Sequence, residues 1–256
     1  MIDITAIVSG FAVGAIVGMT GVGGGSLMTP LLMGVFRLNP AVAIGTDLWF
    51  AAITKGGGAW AHARQNHVDW RITGWLLGGS LPASLITIVT MHASGFGKSW
   101  FGTLTFTLGI ALLLTALVIA NKSAWSRLGL KLERWITPAR QGPMTLAAGA
   151  VLGVLVTMTS IGAGALGATL LVLLHPRLSA HRLVGTDIAH AVPLTLVAGI
   201  GHATLGNVDW TLLGSLLIGS LPGIWLGARL TRLMPEGVIR VLLCASLVAA
   251  GVKVIH

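Results

Sequence analysis

Charged side chains are scarce in this sequence, and their scarcity argues against a water-soluble fold. Only 9% of the 256 residues are Asp, Glu, Lys or Arg, against roughly 25% in ordinary soluble domains. Hydrophobic residues make up 54% of the chain, and the mean hydropathy is +0.89. Cysteine is also nearly absent, and the single Cys244 excludes a disulfide within the chain. The composition predicts an all-α integral membrane protein.

Apolar runs recur from one end of the chain to the other, and most are long enough to cross a hydrocarbon core about 30 Å thick. The first run lacks the basic start of a cleaved signal, so we expect it to stay in the mature protein. The runs lie at residues 4–19, 27–36, 40–61, 70–91, 100–120, 144–159, 166–174, 181–203, 210–230 and 236–255.

The chain is a tandem duplication, because polar and turn residues return at one constant offset. Gly45-Thr46-Asp47 returns 140 residues later as Gly185-Thr186-Asp187. The other pairs at this offset are His62 and His202, Val68-Asp69-Trp70 and Val208-Asp209-Trp210, and Gly79-Ser80-Leu81-Pro82 and Gly219-Ser220-Leu221-Pro222. We therefore predict a first transmembrane repeat at 1–121 and a second at 143–256. Each has a glycine-broken helix pair followed by three transmembrane helices.

A basic linker at 122–142 separates the repeats and is expected on the cytoplasmic side. Its apolar residues recur at helical spacing opposite its basic residues, which suits a helix lying in the membrane interface. An ordinary basic loop explains the same residues equally well, so both alternatives stay open.

The basic residues predict how the repeats are oriented, because cytoplasmic loops carry an excess of Lys and Arg. If each repeat crosses the membrane an odd number of times, twelve basic residues are cytoplasmic and three lie outside. If each repeat instead crosses an even number of times, eight basic residues are cytoplasmic and seven lie outside. The twelve are Arg64, Arg71, Lys122, Arg127, Lys131, Arg134, Arg140, Arg177, Arg182, Arg229, Arg232 and Arg240, and the three are Arg37, Lys98 and Lys253. The odd count favours inverted repeats.

Two glycine clusters interrupt apolar runs at equivalent places, at 19–27 and 158–166. Glycine exposes backbone groups that lipid cannot satisfy, so each break is expected to face protein or water. A short helix follows each break, and its first N–H groups favour an anion. The alternative is that the glycines only permit close helix packing. The predicted anion ligands here are Gly23, Gly24, Gly25 and Ser26 in the first break, and Gly162 and Gly164 in the second.

Two carboxylates, Asp47 and Asp187, lie well inside apolar runs at equivalent positions. A charge at the centre of a membrane helix costs at least about 2.5 kcal/mol, so such residues usually line a cavity, pair or carry protons. His190 lies three residues after Asp187 on the same helix face and is a third candidate proton carrier. Capping or packing roles for the acids, and a structural role for His190, are the alternatives.

Three further residues are predicted to bind the substrate. Thr46 and Thr186 precede the two acids and offer hydroxyl groups, and Lys55 lies eight positions after Asp47. Lys55 could instead extend to the membrane interface. By contrast, Asp69 and Asp209 are expected only to cap helices.

Three kinds of ligand are not expected. His62 and His67 lack the spacing of a zinc motif, so no metal is predicted. No cofactor is predicted either. Nucleic acid is not expected either. The basic residues that give the net charge of +9 lie between apolar runs, where binding to anionic membrane lipid explains them.

With these residues assembled, the chain resembles the TauE/SafE family, also called the sulfite exporter or four-toluene-sulfonate uptake family. The resemblance rests on Gly21-Val22-Gly23-Gly24-Gly25-Ser26 followed by Pro30, on Gly45-Thr46, on the step from Asn66 to Trp70, and on the tandem duplication. It implies transport of small anions such as sulfite, organosulfonates or related carboxylates across a bacterial inner membrane. The second cluster departs from the pattern, since Ser160 and Ala163 replace glycine and Pro30 has no counterpart.

The sequence therefore predicts a multi-pass secondary transporter of small anions that holds its substrate between two broken helices. Proton coupling through Asp47, Asp187 or His190 is part of this hypothesis. An anion channel is one alternative, and an intramembrane hydrolase using Ser26 is another. The oligomeric state, monomer or homo-oligomer, is left open.

Overall fold

The computed structural model describes residues 4–20, 25–94, 98–132, 136–230 and 236–255, and the regular structure in these ranges is entirely helical. The helices are α1 (Ile4–Thr20), α2 (Gly25–Gly34), α3 (Pro40–Arg64), α4 (Trp70–Ala93), α5 (Lys98–Ala120), α6 (Lys122–Leu132), α7 (Pro138–Thr159), α8 (Ala165–Leu174), α9 (Ala180–Thr204), α10 (Trp210–Leu230) and α11 (Glu236–Ile255).

Five helices of the described part, α4, α5, α7, α9 and α10, contain a stretch long and apolar enough to cross a membrane. Exposed large hydrophobic side chains, among them Ile86, Phe106 and Val151, lie on their outer faces. In a bilayer these faces would contact lipid, so their exposure needs no further partner. The chain is thus a multi-pass membrane protein, as its composition predicts.

Side-chain caps fix where several helices begin. Asp69 Oδ1 accepts a hydrogen bond from Ile72 N at 3.2 Å, and Asp209 Oδ1 accepts one from Leu212 N at 2.9 Å. Both acids therefore cap helices, as the sequence predicts. Asn39 caps α3 in the same way, and Pro40 follows it at the first helical position, where a missing N–H costs nothing.

Two expectations for the linker are corrected by the structure. Residues Lys122–Leu132 form the helix α6, so the loop alternative is wrong for this segment. The next helix begins at Pro138, not near residue 144. Thr137 has an extended backbone at the N-cap, and Pro138 suits the first turn, so the helix starts before the apolar run does.

The first helix of each half packs closely along the fourth helix of the other half. Gly10 of α1 lies against the backbone of Leu216 in α10, and Gly14 lies against Ser220. The residue numbers of the contacts rise together, so α1 and α10 run parallel. Small residues allow this approach, as they do in other membrane helix pairs.

The helices α4 and α7 form the corresponding pair. Gly149 of α7 lies against Leu76 of α4, and Gly153 lies against Ser80, so these helices also run parallel. Each half therefore exchanges helix contacts with the other, and neither half packs as a separate body.

The helices α3 and α9 cross at the centre in opposite directions. Gly45, near the start of α3, lies against the carbonyl oxygen of Asn207, just after the end of α9. Gly185, near the start of α9, lies against the carbonyl oxygen of His67, just after the end of α3. Between these ends, Trp49 Nε1 donates to Gly199 O at 2.9 Å. The two helices that carry the buried acids are therefore antiparallel.

We expect Gly79→Ala to destabilise the protein, because the new methyl group would overlap the carbonyl oxygen of Leu146 in α7. Overpacking of this kind costs about 1–3 kcal/mol. Thermal unfolding of the purified protein in detergent measures the loss. The matched control on the same helix is Gly74→Ala, whose methyl group would meet no other atom within 4 Å. Equal Tm values for the two variants would contradict this account of α4 and α7.

Candidate functional site

The second glycine cluster forms a backbone break between α7 and α8. Ser160, Gly162 and Gly164 have φ values of 58°, 127° and 147°, which end one helix and redirect the chain into the next. Gly167 N donates to Gly162 O at 2.8 Å, and Ala168 N donates to Gly164 O at 2.7 Å. The predicted ligands Gly162 and Gly164 therefore lie in the break, directly before the short helix α8.

The first cluster is described only from its end onward. Gly23 and Gly24 lie outside the described residues, while the backbone of Gly25 and Ser26 forms the start of α2. A short helix thus follows this cluster, as predicted, and Thr29 in its second turn is fully buried.

Asp47 lies fully buried on α3 and contacts both broken elements. The Thr29 hydroxyl of α2 donates a hydrogen bond to Asp47 Oδ2. The Ser160 hydroxyl of the second break lies within interaction range of the same carboxylate. It completes no hydrogen bond of normal geometry, however, and neither Ser160 Oγ nor Asp47 Oδ1 has a partner in the described part of the chain. Asp47 is therefore the point where α2, α3 and the second break meet.

Lys55 lies further along α3 and reaches the same break. Its ammonium group donates a hydrogen bond to the carbonyl oxygen of Ala163. The side chain is half-buried and is attracted electrostatically to Asp187 and Asp47. Lys55 therefore points into the protein and not outward to the membrane interface.

Asp187 lies on α9 with 6% of its surface exposed. Its Oδ1 atom has no hydrogen-bond partner among the described residues, and a methyl group added to Gly167 of α8 would overlap it unless the carboxylate moved. Each buried acid therefore contacts the short helix of its own half, Asp47 through Thr29 and Asp187 through Gly167.

His190 is fully buried one turn after Asp187. Its Nε2 atom lies 2.9 Å from the Ser80 hydroxyl of α4. Its Nδ1 atom has no partner within the described ranges. The ring is thus held by one hydrogen bond and keeps one nitrogen for another group.

The two predicted threonine ligands contact loops of the opposite half. Thr46 Oγ1 accepts a hydrogen bond from Asp209 N, and Thr186 Oγ1 accepts one from Asp69 N, each at 3.0 Å. These bonds join the start of each central helix to the loop after the other central helix. Substrate binding by Thr46 and Thr186 stays a prediction, and a role in fixing the α3–α9 crossing is observed.

One of the two loops carries additional contacts. Arg182 Nη2 lies 3.0 Å from Asp69 Oδ2, and the rings of His67 and His181 stack with centroids 5.2 Å apart. No three His, Cys, Asp or Glu side chains in the described ranges are placed to hold a metal ion. The loop between α3 and α4 is thus tied to α9 more firmly than a hydrogen bond alone would tie it.

His175 is the C-cap of α8 and lies near Asp69 of this loop. Its Nε2 atom lies 2.9 Å from Thr145 Oγ1. Burial lowers the pKa of His175, and the nearby Asp69 carboxylate partly opposes this effect. His175 therefore favours its neutral form in the folded protein, which suits a structural contact.

The structure brings six predicted residues into one region around the second break: Gly162, Gly164, Asp47, Lys55, Asp187 and His190. Four members were not predicted from the sequence as site residues: Thr29, Ser80, Ser160 and Gly167. Ser160 could have been found because it departs from the first cluster, which has Gly21 at that position. Thr29, Ser80 and Gly167 carry no local signal, since their contacts are made across long sequence separations.

A double-mutant cycle tests the contact between α8 and Asp187. We expect Gly167→Ala to cost about 1–3 kcal/mol of unfolding free energy, because the methyl group would overlap Asp187 Oδ1. In an Asp187→Ala background the same change should cost much less, since the space is then free. Thermal unfolding of the four proteins measures both values, and additive losses would show that the two residues do not touch.

Comparison with known proteins gives a family match over nearly the whole chain. The family model described as "Sulfite exporter TauE/SafE" matches residues 6–254. No solved structure matches the chain. The family match therefore extends over both halves and includes every site residue above.

Full-length relatives are membrane transporters by name. "Probable membrane transporter protein YjnA" of Bacillus subtilis strain 168 is 36% identical over 256 residues, which is 99% of this chain and 100% of the relative. YdhB of the same organism is 28% identical and covers 90% of this chain and 91% of the relative. A relative from Methanocaldococcus jannaschii is 24% identical and covers 96% of this chain and 92% of its own length. The chain therefore belongs to the TauE/SafE sulfite exporter family and is a multi-pass membrane transporter, not an enzyme.

Proposed function

We propose that this transporter carries a small anion, sulfite or an organosulfonate or related carboxylate, across the bacterial inner membrane. One observation carries the proposal. The Lys55 ammonium lies inside the protein, bonded to a carbonyl of a backbone break and attracted to two buried carboxylates. A cation so placed can exchange its carbonyl partner for an anionic substrate.

Helix starts supply the rest of the proposed anion site. In α8 the first bond inside the helix runs from Ala168 N to Gly164 O, and Gly167 N bonds back to Gly162 O in the break. The first turn of a helix has four N–H groups without partners inside the helix, which here belong to residues 164–167. Because Gly167 is already bonded, the N–H groups of Gly164, Ala165 and Leu166 are the three that α8 offers to an anion, next to Gly162. The start of α2, with Gly25 and Ser26, is the proposed counterpart, together with Gly23 and Gly24.

Inverted repeats at 1–121 and 143–256 are the second part of the proposal. Three features support them: the antiparallel crossing of α3 and α9, the parallel packing of α1 with α10 and of α4 with α7, and the excess of basic residues on one side. An antiparallel central pair gives each break an equivalent position on opposite sides of the crossing. Inverted repeats of this kind underlie alternating access in many secondary transporters.

Charge balance explains why an anion would need a coupling ion. Asp47, Asp187 and Lys55 together carry a net charge of −1 when both acids are ionised. An anion entering that region is repelled unless a positive charge enters with it. Asp47, Asp187 and His190 are the proposed carriers of that charge, with protons as the coupling ion of the hypothesis.

We expect Lys55→Met to lower anion uptake by reconstituted vesicles about tenfold or more, because losing a charge-assisted hydrogen bond costs roughly 1.5–3 kcal/mol. Uptake of labelled sulfite into vesicles with an imposed proton gradient measures the effect. Lys131→Met, on the exposed part of α6, is the matched control and should leave uptake unchanged.

Unchanged uptake by folded Lys55→Met would remove this residue from the site. The same vesicles separate a carrier from a channel. A carrier accumulates sulfite above the external concentration when a coupling gradient is imposed, whereas an anion channel only lets its concentration follow the membrane potential.

A further inference from the structure

The two buried acids are equivalent in sequence but have different surroundings. Asp47 has two hydroxyl groups beside it, from Thr29 and Ser160. The two glycine clusters align 139 residues apart, and in that alignment Thr29 corresponds to Ala168 and Ser160 to Gly21. Both hydroxyl groups that surround Asp47 are therefore missing from the equivalent positions around Asp187.

The polar side chains described next to Asp47 both offer hydroxyl oxygens that could bind a cation. Ser160 is 3% exposed and Asp47 is fully buried, and Ser160 Oγ and Asp47 Oδ1 both lack a hydrogen-bond partner among the described residues. Ser160 is also the C-cap of α7, where the helix dipole places partial negative charge. Buried polar atoms without partners are rare, because each costs about 1–3 kcal/mol. Two of them at one carboxylate indicate that a further group belongs beside it.

Within the described ranges Asp47 forms no ion pair. Lys55 bonds instead to Ala163 O, and its Cα atom lies about 12 Å along α3 from that of Asp47 by the rise of a helix. An ion pair in these ranges joins Arg182 to Asp69 at a loop. A buried carboxylate without an ionic partner at bonding distance is stable only if it is neutralised. A carboxylate, two hydroxyls and a helix C-terminus form the kind of oxygen set that binds sodium in transporters with broken helices.

We propose that Asp47, Thr29 and Ser160 form a sodium site at the C-terminal end of α7. This assignment rests on the proposed anion transport, and it gives the proposed coupling residues two different ions. Asp47 holds a sodium ion, whereas Asp187 and His190, which lack the hydroxyl pair, are left to carry protons. Sodium next to Asp47 removes one negative charge from the region that Lys55 shares with the two acids, and an anion can then enter.

Sodium binding is measured on the purified wild-type protein in detergent, with chloride as the only anion and no substrate added. Thermal unfolding is followed as sodium chloride replaces choline chloride at constant ionic strength, with potassium chloride as the second comparison. A ligand that binds only the folded state raises its stability in a saturable way. We expect Tm to rise with sodium to a plateau and to rise much less with potassium.

Variants assign the effect to this site. The sodium-dependent rise should disappear in Asp47→Asn and in Ser160→Gly, and it should persist in Thr29→Ser but not in Thr29→Val. Glycine suits position 160 because the φ value there is 58°, so this change removes the hydroxyl without straining the backbone. Ser84→Ala is the matched control, since Ser84 is a buried hydroxyl that already bonds to Thr157, and it should keep the sodium response.

A wild-type Tm that responds equally to sodium, potassium and choline overturns the sodium site. So does a sodium response that survives in Asp47→Asn and Ser160→Gly. Vesicle assays keep this failure distinct from failure of the proposed function. Sulfite uptake driven by a proton gradient without sodium, together with no sodium response, would overturn the sodium site and leave anion transport intact. A sodium response in a protein that moves no anion would support the site and reject the proposed function.

Discussion

The close approach of α3 and α9 is the constraint on which the rest of the site depends. Gly45 and Gly185 leave no room for a side chain between these helices and the loops opposite them. Thr46 and Thr186 then close each end of the crossing with a hydrogen bond to a loop N–H. Asp47 and Asp187, one residue after these threonines, are both buried in the same crossing.

Burial of those acids determines what surrounds them. An apolar interior penalises an isolated charge heavily, so each carboxylate needs hydroxyl groups, a cation or a proton. Thr29 and Ser160 lie near Asp47, whereas Asp187 faces Gly167 and interacts with Lys55 more strongly than Asp47 does. The two halves therefore share one backbone plan and differ in the side chains that face the acids. The proposed division of sodium and protons between the two acids rests on this difference.

The sequence predicts the helical membrane fold, the positions of most helices and both aspartate caps, because these depend on local patterns. Lys55 is predicted as a site residue because an ionisable group inside an apolar run is conspicuous, and the structure places its ammonium group at the second break. Thr29 and Ser80 could not be found in this way, because hydroxyl groups are common in membrane helices and only tertiary contacts give these two a role. The helix start at Pro138 was missed because its first residues are polar, and apolar periodicity marks only the buried part of a helix.

The opposite orientation of the two halves is the central claim, since the proposed anion site needs the two breaks to lie at equivalent positions on opposite sides of the α3–α9 crossing. Single cysteines at the equivalent exposed positions Arg64 and Thr204, in a Cys244→Ser background, test it directly with a membrane-impermeant maleimide. The account predicts that intact cells label the cysteine at 204 and label the one at 64 only after permeabilisation. Labelling of both positions from the same side of the membrane would contradict it.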